Sequence, residues 1–255
     1  MSTAHRPSDD SRHLSPSPLA RRLIMLAGTP DDASDIDQQL TGIAQLAAQS
    51  LPAVSYASVT AVRDGAPTTV AASSELAVAV DQAQYDEQSG PCLDALHDGI
   101  PVPVENIAAT MRWPGFREAA LRMGLRASVS VPLFAGSGLP VAALNLYGHD
   151  ADAMNGLGGH VWTVYHTDDP ATSATADTGP LDAGGQDLIA GLVEAFGVRA
   201  LIQQAIGVLM ARDHNSAWDA YLSLRIRAAE TVTALPEIAT SVLAALDRPA
   251  NDPHR

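Results

Sequence analysis

Apolar residues at Ile36, Leu40, Ile43, Ala47 and Leu51 recur every three or four positions, which predicts an amphipathic helix that Pro52 stops. Tyr56 to Val62 then reads as a strand, Asp64-Gly65 as a turn, and Thr68 to Ala72 as the returning strand. Short helices are predicted over Glu75–Ala83 and over Pro91–His97, the latter with proline in its first turn. Pro101–Val104 is extended, and Trp113–Met123 is a helix closed by Gly124. Two strong strands, Ser128–Leu133 and Val141–Tyr147, flank the turn Gly136-Ser137-Gly138. Hairpins outnumber crossover units, so the expected class is α+β: an antiparallel sheet with flanking helices.

The pattern changes over 148–184, which holds six glycines and one island of strand character, Val161–His166. It reads as an inserted loop or hairpin followed by a linker, Asp168 to Gly185. From Gln186 onward the period is helical. Leu188, Leu192 and Ala195, then Ile202, Ile206 and Leu209, predict a last sensor helix near 184–200 that runs on into a first output helix. Ser216 with Asp219 is a capping pattern for a second helix, whose apolar stripe is Ala217, Tyr221, Leu224 and Ala228. Pro236 opens a third, with Ile238, Val242 and Leu246 on one face. The expected organisation is a disordered tail over 1–18, a sensor-like domain over 19–200, a small three-helix bundle over 198–247 and a tail over 248–255.

Composition narrows the function. A length of 255 residues suits two domains, and aromatics at 4% leave the cores to Ala, Val, Leu and Ile. The net charge is -14 and all 15 basic residues are arginine, so any nucleic-acid contact needs a local basic face on an acidic body. The single cysteine, Cys92, permits no internal disulfide and suits a reducing cytosol. No apolar run reaches the roughly 18 residues of a membrane helix. Arg21-Arg22 opens like an export signal, but Leu23–Gly28 is shorter than a signal core of roughly 7–15 residues. A cytoplasmic protein without membrane contact is expected, with this Arg21–Gly28 segment forming a short helix or loop that leads into the first domain.

Catalytic motifs are missing: there is no G-x-S-x-G elbow, Walker loop or H-E-x-x-H. No catalytic residue is assigned and an enzyme is not expected. His149, Asp150, His160, His166 and Asp168 match no tight ligand spacing, so no metal site is expected either. Cys92 has two readings, a redox or nitric-oxide sensor at a helix start and a small buried apolar residue. Trp113 and Phe116 read as pocket lining or as plain core.

Several segments carry a family resemblance. Thr69–Leu76, Gln84-Tyr85, Gly90-Pro91-Cys92-Leu93-Asp94-Ala95-Leu96, Arg112-Trp113-Pro114 with Phe116, Ser128–Leu133 and Ala143–Tyr147 resemble actinobacterial GAF domains, in order over roughly 35–150. Gln203–Met210 and Ala220-Tyr221 with Leu224-Arg225 resemble an ANTAR domain. The resemblance implies a GAF sensor fold with a small-molecule pocket near Tyr85, Cys92, Trp113 and Phe116; the identity of a cofactor or ligand stays open. It also implies a three-helix output that binds paired RNA hairpins in transcription antitermination, through Arg199, Gln203, Arg212 and Arg225. Such regulators resemble homodimers, with Leu188, Leu192, Ile202 and Leu209 as the expected contacts.

The chain departs from the ANTAR pattern in two places. Ile206 stands where the family usually has lysine, and Ile226, Arg227, Ala228, Ala229 and Val232 stand where the family tends to have further basic residues, then serine and asparagine. From Val198 to Glu230 four arginines face three acidic residues, a net of +1. A second reading is therefore kept: a ligand-sensing or protein-interaction module whose degenerate ANTAR output no longer binds RNA.

Overall fold

The computed structural model describes residues 15–166 and 179–246. Ser17 caps a first helix, α1 (Pro18–Ala27), whose Leu19, Leu23 and Leu26 are buried; the linker 28–35 leads to α2 (Ile36–Ser50). Strands β1 (Tyr56–Arg63) and β2 (Ala66–Ala72) form the predicted hairpin, with Asp64 and Gly65 at positive φ in its turn. Helices α3 (Glu75–Asp86) and α4 (Pro91–Asp98), strand β3 (Val102–Val104) and helix α5 (Pro114–Arg122) follow. Strands β4 (Ala127–Phe134) and β5 (Pro140–Gly148) complete a five-stranded antiparallel sheet in the order β2-β1-β5-β4-β3.

Alternation along the strands splits the sheet into two chemically different faces. Ala57, Val59, Ala61, Val129, Val131, Leu144 and Leu146 form the apolar face. They share one core with Leu40 and Ile43 of α2 and with Leu23 of α1. Ser58, Thr60, Ser128, Ser130, Asn145 and Tyr147 lie on the other face, beneath α3 and α4, and all are buried.

The segment expected to be a strand at Val161–His166 is helical. It belongs to α6 (Ala151–Tyr165), capped by Asp150, with Met154, Leu157 and Val161 buried against the apolar sheet face. Gly156, Gly158 and Gly159 blur its sequence pattern, but the three apolar residues at i, i+3 and i+7 hold one face against the core. Of the expected linker, residues 168–178 lie outside the described residues. Most of the expected N-terminal tail does too, and all of the C-terminal one; Pro18 already opens α1.

Helix α7 (Ala183–Asp213) is continuous, as the sequence predicts, and serves two cores. Leu188 and Leu192 join the sensor core, while Ile202, Ala205, Ile206 and Leu209 join the bundle core. Close approach to α1 requires Gly191, where a Cβ would lie 2.6 Å from the Ala20 Cα. Helices α8 (Ala217–Thr231), with its Ser216/Asp219 capping box formed, and α9 (Leu235–Ala244) complete the three-helix bundle around Tyr221, Leu224, Ile238 and Val242. Ile206 is buried here, so the missing lysine is replaced by a core residue.

The homodimer contacts read from sequence need correction. Leu188, Leu192, Ile202 and Leu209 are 3% exposed or less, packed inside the chain against α1, α2 and the bundle, and are closed to a partner.

Candidate functional site

On the polar face of the sensor sheet, side chains converge on Asp81 of α3, which is fully buried. Its carboxylate accepts from the Tyr147 hydroxyl (2.6 Å), the Thr69 hydroxyl (2.9 Å) and Asn145 Nδ2 (3.4 Å). Thr69 and Thr60 each bond the Tyr85 hydroxyl, at 2.9 and 2.8 Å. Gln84 donates to the Tyr147 hydroxyl (3.2 Å) and accepts from the Cys92 amide (3.0 Å). Burial raises the Asp81 pKa from 3.8 to about 6, against the lowering effect of these hydrogen bonds, Tyr147 first. Burial, and then the Asp81 charge, pushes the Tyr85, Tyr147 and Cys92 pKa values up. A thiol held protonated in this way is a poor nucleophile, and Cys92 is fully buried. Beside the cluster, Ser128 Oγ, Ser130 Oγ and Asn145 Oδ1 are buried without a hydrogen-bond partner.

Of the four expected pocket residues, Tyr85 and Cys92 reach this cluster. Phe116 instead sits in an adjoining apolar core with Ile107, Leu125 and Val80, stacked edge-on against Trp113. Trp113 donates its indole N–H to Asp94. Asp81 escapes a motif reading, whereas Thr69, Asn145 and Tyr147 stand in segments that carry the family resemblance but are not singled out there as site residues. The available signal is the small neutral polar residue at alternate strand positions, Ser58/Thr60 and Ser128/Ser130, where a solvent-facing strand would more often carry charge. Among the described residues no group of three or more His, Cys, Asp or Glu could hold a metal; His149 bonds the Gly124 carbonyl and His166 stacks on Trp162. Asp168 lies outside the described residues.

A second constellation lies where the bundle meets the sensor domain. The Arg199 guanidinium stacks 3.8 Å from the Phe134 ring centre, and its Nη2 donates to the Gly138 carbonyl at 2.8 Å. Burial lowers the pKa of Arg199. Gln203 Nε2 donates to the Ser137 carbonyl at 2.8 Å, and Arg225 pairs with Asp32 at 2.5 Å. Tyr221 donates to Asp31 at 3.1 Å, and burial raises its pKa to about 12. At Gly136 a Cβ would lie 2.6 Å from Leu235 Cδ2 and 3.0 Å from the Thr29 carbonyl, so glycine lets the β4–β5 turn reach the bundle. The structure thus brings Arg199, Gln203 and Arg225 to one joint. Arg212 stays apart at the end of α7, paired with Asp213.

A sheet with a polar, helix-covered face runs through one helix, α7, into a three-helix bundle, and the two family models that match these parts, a GAF sensor and an ANTAR output domain, make the chain a signal-responsive regulator. Residues 33–164 match the GAF domain family (GAF_2) and residues 190–243 match the ANTAR domain. The first match spans more than half of the chain, which belongs to the GAF domain family and carries an ANTAR domain behind its GAF domain. Neither is a catalytic family. No curated protein matches the chain. Among solved structures, it is similar to a domain described as from a two-component sensor histidine kinase protein of Sinorhizobium meliloti 1021 (14% identity, 70% of this chain and 97% of that one, TM-score 0.38). It is also similar to a type II free methionine-R-sulfoxide reductase of Thermoplasma acidophilum (14% identity, 68% and 96%, TM-score 0.34).

Proposed function

We propose that the protein is a non-enzymatic, cytoplasmic regulator whose GAF domain senses a small molecule on its polar sheet face and controls RNA-hairpin binding by the ANTAR bundle in transcription antitermination. The observation that carries this reading is the joint: Arg199, Gln203 and Arg225, the residues suited to phosphate contact, are bonded to the sensor domain itself. A sensor that holds the output's basic groups is placed to regulate them. The polar face supplies the sensing chemistry, with a raised-pKa carboxyl and three unpartnered buried oxygens.

The reading is tested by binding of the purified chain to a tandem-hairpin RNA at two salt concentrations. With Arg199, Arg212 and Arg225 involved, log affinity should fall against log salt with a shallow slope, roughly 0.7–0.9 per phosphate neutralised. Arg225→Ala should weaken binding while the bundle stays folded, since Leu224 rather than Arg225 fills the core.

The protein-interaction alternative is favoured by a different observation. Trp218 and Ile226, eight positions apart on α8, are 55% and 57% exposed, with Leu222 between them. A chain with no RNA affinity at either salt would sink the RNA reading and leave that one standing.

Homodimerisation is retained with a new surface. Gln186, Ala190, Val193, Gly197, Ala200, Gln204, Gly207 and Ala211 form an exposed, uncharged stripe along α7 with alternating steps of four and three. That spacing is the seam of a two-helix coil. By length and composition α7 could also cross a membrane, but its buried side chains are committed to the two protein cores.

A further inference from the structure

We infer that the Asp31-Asp32 pair in the α1–α2 linker is an acidic clasp that keeps the output bundle closed against RNA. This rests on the RNA-binding reading above and specifies its regulation. Asp31 Oδ1 accepts from the Ser137 amide (2.9 Å) and the Tyr221 hydroxyl (3.1 Å), and the Asp31 amide donates back to that hydroxyl (3.2 Å). One carboxylate thereby ties the β4–β5 turn to α8. Asp32 places both oxygens on Arg225 Nη2, at 2.5 and 2.6 Å. A carboxylate and a phosphate are competing anions for the same guanidinium. Asp32 occupies Nη2 and neutralises the guanidinium charge, so Arg225 held this way is a weaker partner for an RNA backbone.

Two features make the closed state reversible. The bonds that Asp31 and Asp32 make across the joint are polar, and Asp32 is 65% exposed, so water and ions compete for them. In addition, the Arg199 Nε–H is buried without an acceptor while Nη2 holds the Gly138 carbonyl. A buried unpaired donor weighs against the closed arrangement, and a phosphate presenting two oxygens would satisfy it. The route from the sensor is short. Ser128 and Ser130 lie on β4 and Asn145 on β5, and these strands run directly into the turn that Asp31, Arg199 and Gln203 hold. A ligand that shifts this strand pair moves three of the clasp's acceptors and donors together. Because only the open fraction binds, apparent RNA affinity is reduced by that fraction.

The test uses the full chain and its Asp31→Ala/Asp32→Ala variant, with Tyr221→Phe/Asp32→Asn as a milder opening that keeps the core ring. Hydrogen exchange reports docking, through the Gly136 and Ser137 amides, and titration with a tandem-hairpin RNA reports affinity. Both variants should exchange faster at those amides and bind RNA more tightly, on the order of tenfold, a common size for coupling between sites. Unchanged exchange in both variants would show that these groups do not hold the joint. Faster exchange with unchanged affinity, where the wild type binds measurably, would overturn the clasp as a gate while leaving RNA binding intact. Absence of RNA binding in every form, with exchange accelerated, would overturn the RNA reading and the gate with it.

Discussion

At the scale of single residues, Asp81 sets how the sensor domain responds to pH. Its carboxyl has a pKa of 3.8 in the open chain and about 6 in the fold, so the folded state holds its proton more tightly. Below pH 4 both states are protonated and the fold carries no penalty. As pH rises through 4 to 6, the unfolded chain ionises first and stability falls; above 6 the loss is complete. At about 1.4 kcal/mol per tenfold change in proton affinity, the loss amounts to about 2–3 kcal/mol. Asp81→Asn should remove this dependence, because an amide oxygen still accepts from Tyr147 and the amide nitrogen can donate to the Thr69 hydroxyl. Urea unfolding at pH 4 and pH 7 checks this: the wild type should lose stability between the two, and the variant should not. A second prediction concerns Phe116. With its ring fully buried beside Ile107 and Leu125, Phe116→Ala should destabilise by about 3–5 kcal/mol, the mark of a core residue rather than a pocket wall.

The contrast among the four expected pocket residues shows what a linear sequence carries at this scale. Cys92 and Tyr85 stood in quotable motifs, and both come to the Asp81 cluster. Asp81 itself lies in a helix of unremarkable pattern and acquires its chemistry only when α3 closes over the sheet. Asp31 and Asp32 look like ordinary linker acids until the β4–β5 turn and α8 are brought to them from more than a hundred residues away.

At the scale of elements, strand pairing was legible because Asp64-Gly65 and Gly136-Ser137-Gly138 are turn chemistry bracketed by β-rich runs. The capping box at Ser216 was legible for the same local reason. Helix α6 was not: glycines at 156, 158 and 159 read as loop, and only packing of Met154, Leu157 and Val161 on the sheet overrides them. Helix α1 reads as either helix or loop in the sequence because what fixes it is burial against α7, a helix distant along the chain. One element carries an odd terminus. Val232 closes α8 at φ 53, a left-handed conformation that a β-branched residue adopts poorly, and it is 94% exposed. Val232→Gly should relieve roughly 1 kcal/mol, measured as a rise in Tm; an unchanged or lower Tm would show that the valine is held by contacts in the folded chain.

At the scale of the whole molecule, the α7 stripe predicts assembly. Analytical ultracentrifugation at tens of micromolar should show a dimer, and Val193→Glu with Ala200→Glu should yield monomers of unchanged helicity. A wild-type monomer would remove the stripe as an interface. From the sequence, pairing along this helix is expected through Leu188, Leu192, Ile202 and Leu209. Hydrophobicity marked the stronger face correctly, yet that face is consumed by the sensor and bundle cores, and the small-residue side is the one left over.

The continuity of α7 has a further consequence. Each residue of an α-helix advances about 1.5 Å and turns about 100°. One residue inserted near Gly197 would swing the bundle by more than a quarter turn and carry Arg225 away from Asp32. Seven would nearly restore the angle but lift the bundle by about 10 Å, beyond the reach of the β4–β5 turn. No insertion satisfies rotation and height together. The count of residues between Leu192 and Ile202 is thus as fixed as the tooth count of a gear, and a graft of this sensor onto another output must keep that count to inherit its control.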